Sequence, residues 1–291
     1  MATPIPIDPS VPGDGSPTRG RVGFIGLGSQ GAPMARRIIE GGYPMTLWAR
    51  RPSSLEPFAD TDAKVAGSPA ELAAASDVVG ICVVDDADVE EIVAGERGVL
   101  AGLRAGGVIA VHSTVHPDTC RRLAERAAAQ GVSLIDAPVS GGGTAASAGR
   151  LLVMVGGEAD VVESCRPIFA TYGDPVVHIG PVGAGQITKL LNNVLFTANL
   201  ATATSLIGLG RALGVAPDRL AEVISHGSGS SYALGSVARS GGTLHSVATH
   251  AGPLLRKDVR LIAQLAAANE AETGTVMEAA DAALALMDHS R

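Results

Sequence analysis

Basic charge is what this sequence has least to spare: 22 Lys and Arg stand against 29 Asp and Glu, leaving a net charge of −7. It therefore carries no basic footprint for nucleic acid or an anionic membrane, and its expected partners are small molecules. Cysteine is scarce too. Cys82, Cys120 and Cys165 are widely spaced, form no C-x-x-C pair and sit in apolar or helical contexts. They read as reduced, structural thiols of a cytoplasmic protein. His112 and His116 are four residues apart, but at a strand end and a turn, and no third ligand accompanies them, so no metal site is expected. The opening MATPIPIDPSVPGDGSPTRG is rich in Pro, Gly and Ser and has no apolar core, so residues 1–20 read as a flexible tail and not as a signal peptide. No internal repeat stands out.

At 291 residues the chain suffices for one large or two ordinary domains. As far as about residue 180, β-type runs alternate with helical segments: Val22 to Ile25, Asp77 to Val84, Val108 to Ser113, Val132 to Ala137, Leu151 to Val155 and Val176 to Ile179. This alternation predicts an α/β fold over 21–182, a Rossmann-type, doubly wound and mostly parallel sheet with its ligand crevice at the carboxyl ends of the strands. From 183 to 291 everything reads as helix, giving a second, all-helical domain: a long segment from Gly183 to Gly210, then Ala216 to Ile224, Pro253 to Ala268 and Thr275 to Met287. The long segment has no Pro and reads as one helix buried almost all round. Asn192, Asn193, Asn199 and several threonines interrupt it, which suits burial against protein better than lipid.

The segment RVGFIGLGSQGAPMARR has Gly26, Gly28 and Gly31 in the G-x-G-x-x-G spacing, after a strand and opening a helix. In that context the amides of a helix N-terminus can cradle a pyrophosphate, so a dinucleotide is expected across Gly26, Leu27, Gly28, Ser29, Gln30 and Gly31. About twenty residues on, an NAD site usually places an acidic residue on the ribose 2′-hydroxyl. Here the second strand ends in Ala49, Arg50 and Arg51, followed by Ser53. Two guanidiniums suit a 2′-phosphate and nothing acidic repels it, so NADP is favoured, with NAD possible. The competing view makes Arg50 and Arg51 solvated loop charges.

Lys189 is the one charged side chain between Gly183 and Gly210. Burial lowers a lysine's pKa, so a lysine kept there is either paired or held as a proton donor, and no Asp or Glu lies within a helical turn along the sequence. Asn193, at i+4, shares its helix face and could orient the lysine or a substrate. The plain alternative is a lysine snorkelling to solvent. Ser113 and Thr114 end a strand before Pro117 opens a helix. Ser140, Gly141 and Gly142 expose backbone amides at another strand end, either as a nest for a carboxylate or as an ordinary glycine turn.

Taken in order, GFIGLGSQG, HSTVHPDT, DAPVSGGGTAASAG, GAGQITKLLNN and LLRKDVRLI resemble the β-hydroxyacid dehydrogenase family, over residues 21 to about 288. The resemblance implies reversible hydride transfer between a nicotinamide cofactor and a small 3-hydroxy acid or its semialdehyde. Lys189 matches the catalytic lysine, while Asn193 and Ser140, Gly141 and Gly142 match substrate contacts. On the cofactor side it implies Thr114 beside the nicotinamide and Lys257, which with Val83 join the glycine turn, Arg50, Arg51 and Ser53 read above as the expected cofactor contacts. Gln30 stands where the family usually has Met, and His112 where it often has Asp; both could alter the cofactor's fit. The stretch HGSGSSYALGSVARSGGTLHSVATHAGP reads as a pocket loop that says little about which acid fits. The family's habit of pairing helical domains implies a homodimer or a dimer of dimers, for which the uncharged helix supplies apolar surface. Imine reductases resemble the family but replace the lysine, and Lys189 argues against that class. An inactive NADP-binding module of the same fold and a 6-phosphogluconate-type dehydrogenase are further alternatives; the latter lacks a basic cluster for a sugar phosphate.

Overall fold

The structure, a computed structural model, describes residues 19–291. The tail expected over 1–20 lies, but for Arg19 and Gly20, outside the described residues. The chain divides into two compact units, one ending at Lys189 and one spanning Leu190–Arg291.

In the first unit the strands are β1 Val22–Ile25, β2 Met45–Trp48, β3 Lys64–Val65, β4 Val78–Ile81, β5 Val108–Val111, β6 Ser133–Asp136, β7 Val139–Ser140, β8 Leu151–Gly156 and β9 Gly173–Gly180. Its helices are α1 Gly31–Glu40, α2 Pro69–Ala74, α3 Asp86–Ala94, α4 Pro117–Ala128, α5 Gly142–Ser147 and α6 Ala159–Phe169. The strands form one sheet in the order β3-β2-β1-β4-β5-β6-β8-β7, with β9 beside β8. From β3 to β6 every pairing is parallel, whereas β8 runs antiparallel to β6 and β7. The sequence pattern misses β3 and β7. Both are two residues long, too short for a period to register.

Successive residues of the central strands fall into different apolar clusters. Phe24 packs with Met34, Leu47, Phe169 and Tyr172, while its neighbour Ile25 packs with Ile81, Val111 and Leu123. Both sheet faces are thus covered, which is why these strands read as continuous apolar runs. Helix starts follow local chemistry. Ser68 and Asp85 accept from the third residue's amide of α2 and α3, and the His116 ring accepts from Asp118 at the head of α4, where Pro117 occupies the first turn.

The second unit is helical: α7 Ala184–Ala212, which starts in the first unit, then α8 Pro217–Ser225, α9 Tyr232–Arg239, α10 His245–Ala268 and α11 Gly274–Ala285. Its core gathers Leu190, Val194, Leu200 and Ile207 of α7 with Leu234, Val259, Met277 and Leu284. By length and hydropathy α7 could cross a membrane; these residues give it the place of a core helix. Two expectations are corrected. α7 is not buried all round: Leu191, Leu195, Leu206 and Leu209 lie exposed along it, because only one face meets the unit's other helices. The supposed pocket loop is largely helical, since Ser231 caps α9 by accepting from Leu234 N at 3.1 Å. α10 likewise begins at His245, well before Pro253, which it carries inside; Leu255, Val259 and Ile262 pack on its buried face and hold it.

Candidate active site

The strand order reverses at β1, whose neighbours are β2 on one side and β4 on the other, so a crevice opens at the carboxyl ends of β1 and β4. The glycine turn sits there. Gly26 has φ +96°, and a Cβ on it would enter the Cys82 carbonyl at the end of β4. A Cβ on Gly31 would be driven into the Gly26 carbonyl oxygen, so this glycine lets α1 close onto the turn. Around Gly28 a Cβ would meet nothing within 4 Å. Leu27 is buried beneath the turn, and Ser29 and Gln30 lead into α1. No side chain caps α1 and its first turn holds no acidic residue, leaving a helix N-terminus that suits an anion.

At the end of β2, Arg50 is 63% exposed and donates to Asp88 Oδ1 at 2.7 Å, with Glu91 at 3.5 Å. It is neither a bare loop charge nor free of competing carboxylates. Arg51 and Ser53 are exposed beside it. Val83, after β4, donates its amide to Ser113 Oγ at 2.8 Å, which ties the β4 and β5 ends together. Thr114 follows, half-buried. His112 is buried instead of facing a ligand: its Nδ1 lies 2.7 Å from the Ala137 carbonyl, and its ring stacks on Phe24 and meets Phe169 and Tyr172 edge-on. Burial pulls its pKa down to about 4. The His116 ring turns instead to the head of α4, so the two histidines share no site.

Ser140 ends β7, and Gly141 and Gly142 both have positive φ, 130° and 70°, at the head of α5. A Cβ on Gly143 would lie 2.5 Å from Ser29 O, so that glycine lets the SGG turn approach the glycine turn of β1. Lys189 is 8% exposed, on the second turn of α7. The helix's first turn is held by Asp136, whose carboxylate accepts from Gly183 N and Gln186 N, each at 2.7 Å. Burial pushes Asp136 up to about 6 against these donors, which pull it down.

In the second unit Asn193 donates to Asp258 Oδ2 at 2.6 Å and accepts from Asn192 Nδ2 at 3.0 Å. Lys257 is no solvated charge: its side chain is 17% exposed and Nζ lies 3.9 Å from Asp258 Oδ1. Asp258, 3% exposed, therefore faces both residues named from the sequence. Sequence reasoning passed over Asp136, Gln186, Gly143 and Asp258. All four lay inside quoted motifs, DAPVSGGGTAASAG, GAGQITKLLNN and LLRKDVRLI, and for Asp136 and Gln186 a polar residue in apolar company was the available signal.

Residues 21–180 match the family model for the NAD-binding domain of 6-phosphogluconate dehydrogenase, and residues 183–290 the one for the NAD-binding domain of NADP-dependent 3-hydroxyisobutyrate dehydrogenase. Among curated relatives, 2-(hydroxymethyl)glutarate dehydrogenase of Eubacterium barkeri is 35% identical over 74% of this chain and 71% of its own. Among solved structures, 3-hydroxyisobutyrate dehydrogenase of Mycobacterium tuberculosis, with L-serine, superposes with a TM-score of 0.80 at 26% identity, covering 93% of this chain and 95% of that one. Psf3 in complex with NADP+ and 2-OPP gives 0.79 at 28% identity, over 92% and 93%. With the reversal of strand order at β1, the open glycine turn and two family models spanning 21–290, this chain belongs to the β-hydroxyacid dehydrogenase family, as an NAD(P)-dependent oxidoreductase of the 3-hydroxyisobutyrate dehydrogenase type acting on CH–OH donors.

Proposed function

We propose that the protein interconverts a small 3-hydroxy acid and its semialdehyde with NADP(H), using Lys189 as the general acid and base. The observation that carries this reading is a lysine 8% exposed, on a helix anchored by Asp136 at the carboxyl edge of a dinucleotide-binding sheet. When bound, the nicotinamide supplies or accepts the hydride. The amides at Ser140, Gly141 and Gly142 hold the substrate's carboxylate, as positive-φ turns do for anions. In reduction Lys189 Nζ gives a proton to the carbonyl oxygen; in oxidation it removes one from the hydroxyl. Asn193 orients the reacting oxygen, with its amide fixed by Asp258. Lys257 serves the cofactor side.

NADP over NAD is supported by Arg50, Arg51 and Ser53 after β2, a segment that itself carries no acidic residue, although Asp88 and Glu91 of α3 approach Arg50. Arg50 must exchange Asp88 for the 2′-phosphate, which tempers the preference. We place the enzyme in the cytoplasm with small carboxylates as its partners. The exposed leucines of α7 suit a homodimer. The test is reduction with NADPH of glyoxylate, tartronate semialdehyde, succinic semialdehyde and methylmalonate semialdehyde, beside uncharged aldehydes. Turnover confined to carboxylated substrates is expected. Inactivity on all of them, with reduction of cyclic imines, would replace this reading by imine reduction.

A further inference from the structure

We infer that Gln186 is a positioning residue that sets the Thr114 loop against the helix carrying Lys189; the catalytic meaning of this rests on the function proposed above. Gln186 is fully buried, and both ends of its amide are used. Nε2 donates to Ser113 O at 2.8 Å and Oε1 accepts from Val115 N at 3.1 Å. One side chain thus grips the peptide groups on both sides of Thr114 and fixes that residue's backbone. The Gln186 main chain is itself held by Asp136, and Ser113 Oγ accepts from Val83 N. The loop after β5 and the first turn of α7 are joined by this side-chain amide, and the ends of β4 and β6 are tied to the same pair through Ser113 Oγ and Asp136. Lys189 follows at i+3, on the same helix face, so a shift in the grip would move it relative to Thr114.

A buried amide can be no more than a satisfied core group, but two features exceed that role. The acceptor and the donor it serves flank one residue, and the helix turn bearing it is fixed from behind by a carboxylate. Leu at this position would leave Ser113 O and Val115 N buried without that partner. Glu would keep the bond from Val115 N and set an oxygen against Ser113 O.

The test compares Gln186→Leu and Gln186→Glu in the full-length protein with Ser76→Ala, which removes an equally buried bond, Ser76 Oγ to Leu72 O at 2.7 Å, beside the amino end of β4. Amide hydrogen exchange, NADPH titration by fluorescence and steady-state kinetics are read together. In Gln186→Leu, exchange should quicken over 113–116 and the first turns of α7 while 22–31 stays protected. NADPH affinity should change by less than about threefold while kcat falls about 10- to 100-fold, as a small misplacement of reacting groups does. Gln186→Glu should lie between, which keeps the proposal testable if the leucine variant does not fold. Unchanged exchange over 113–116, or lowered stability with kcat retained as in Ser76→Ala, would overturn it. A wild-type protein that reduces no carboxylated aldehyde would defeat the proposed substrate; Gln186 would then stand or fall on exchange and on the emission of bound NADPH, which senses the surroundings of the nicotinamide.

Discussion

The second and third glycines of the β1 turn should respond to the same substitution in opposite ways. On Gly31 a methyl group would meet the Gly26 carbonyl oxygen, with the Gly26 carbonyl carbon at 3.1 Å and Cys82 Cβ at 3.2 Å, and none of these is the loose end of a flexible side chain. Overpacking of this kind costs about 1–3 kcal/mol or more. That is a fall in Tm of several degrees, at about 2–4 °C per kcal/mol for a domain of this size. On Gly28 the methyl group would enter open space, and the backbone there is not in the left-handed region, so stability should stay within about 0.5 kcal/mol. The space it fills is where the backbone must approach the pyrophosphate, so NADPH should bind at least about tenfold more weakly, about 1.4 kcal/mol. Thermal melts of both variants, with fluorescence titration of NADPH, separate the two effects. A folded Gly28→Ala protein with unchanged NADPH affinity would refute the placement of the cofactor phosphates at this turn.

Lys189→Met should leave folding and NADPH binding nearly intact and lower kcat by about 10² to 10⁴, with Asn193→Ala a weaker version that also raises KM; a shifted melting temperature with full turnover per folded molecule would make Lys189 structural. Wild-type protein should bind NADPH at least about tenfold more tightly than NADH, and Arg50→Asp should reverse the order by setting a further carboxylate beside Asp88; equal titration curves for the two cofactors would sink this. His112 titrates near 4 in the fold against 6.5 unfolded, so the unfolded chain binds the extra proton and stability drains as pH falls from 6.5 toward 4, by about 3 kcal/mol at 1.36 kcal/mol per unit. Urea unfolding should therefore show His112→Phe gaining on wild type across that window. Asp136, raised from 3.8 to about 6, works the other way, its contribution being present below pH 3.8 and lost as pH rises through 6, so the gap between wild type and Asp136→Asn should change with the opposite slope.

The sequence alone determined those features whose cause is local. Val22–Ile25, the glycine spacing and the helix that follows depend on neighbours along the chain, so the turn, the alternation of strands and helices and the run of helices after 183 were legible, as was the family. What depended on residues far apart in sequence was not. Asp136 meets Gly183 and Gln186 some fifty positions on, Gln186 meets Ser113 more than seventy back, and Asp258 finds Asn193 at 65, pairings that no periodicity encodes. His112 looked like a group near the cofactor, yet a cage of Phe24, Phe169 and Tyr172 makes it part of the core. α9 escaped because glycines and serines are weak helix formers, and only the Ser231 cap and the burial of Leu234 and Val237 make that segment helical. Exposure on α7 was equally hidden, since a helix apolar on every side reads as buried until its neighbours are known, and in this chain they cover one face and leave Leu191, Leu195 and Leu209 bare.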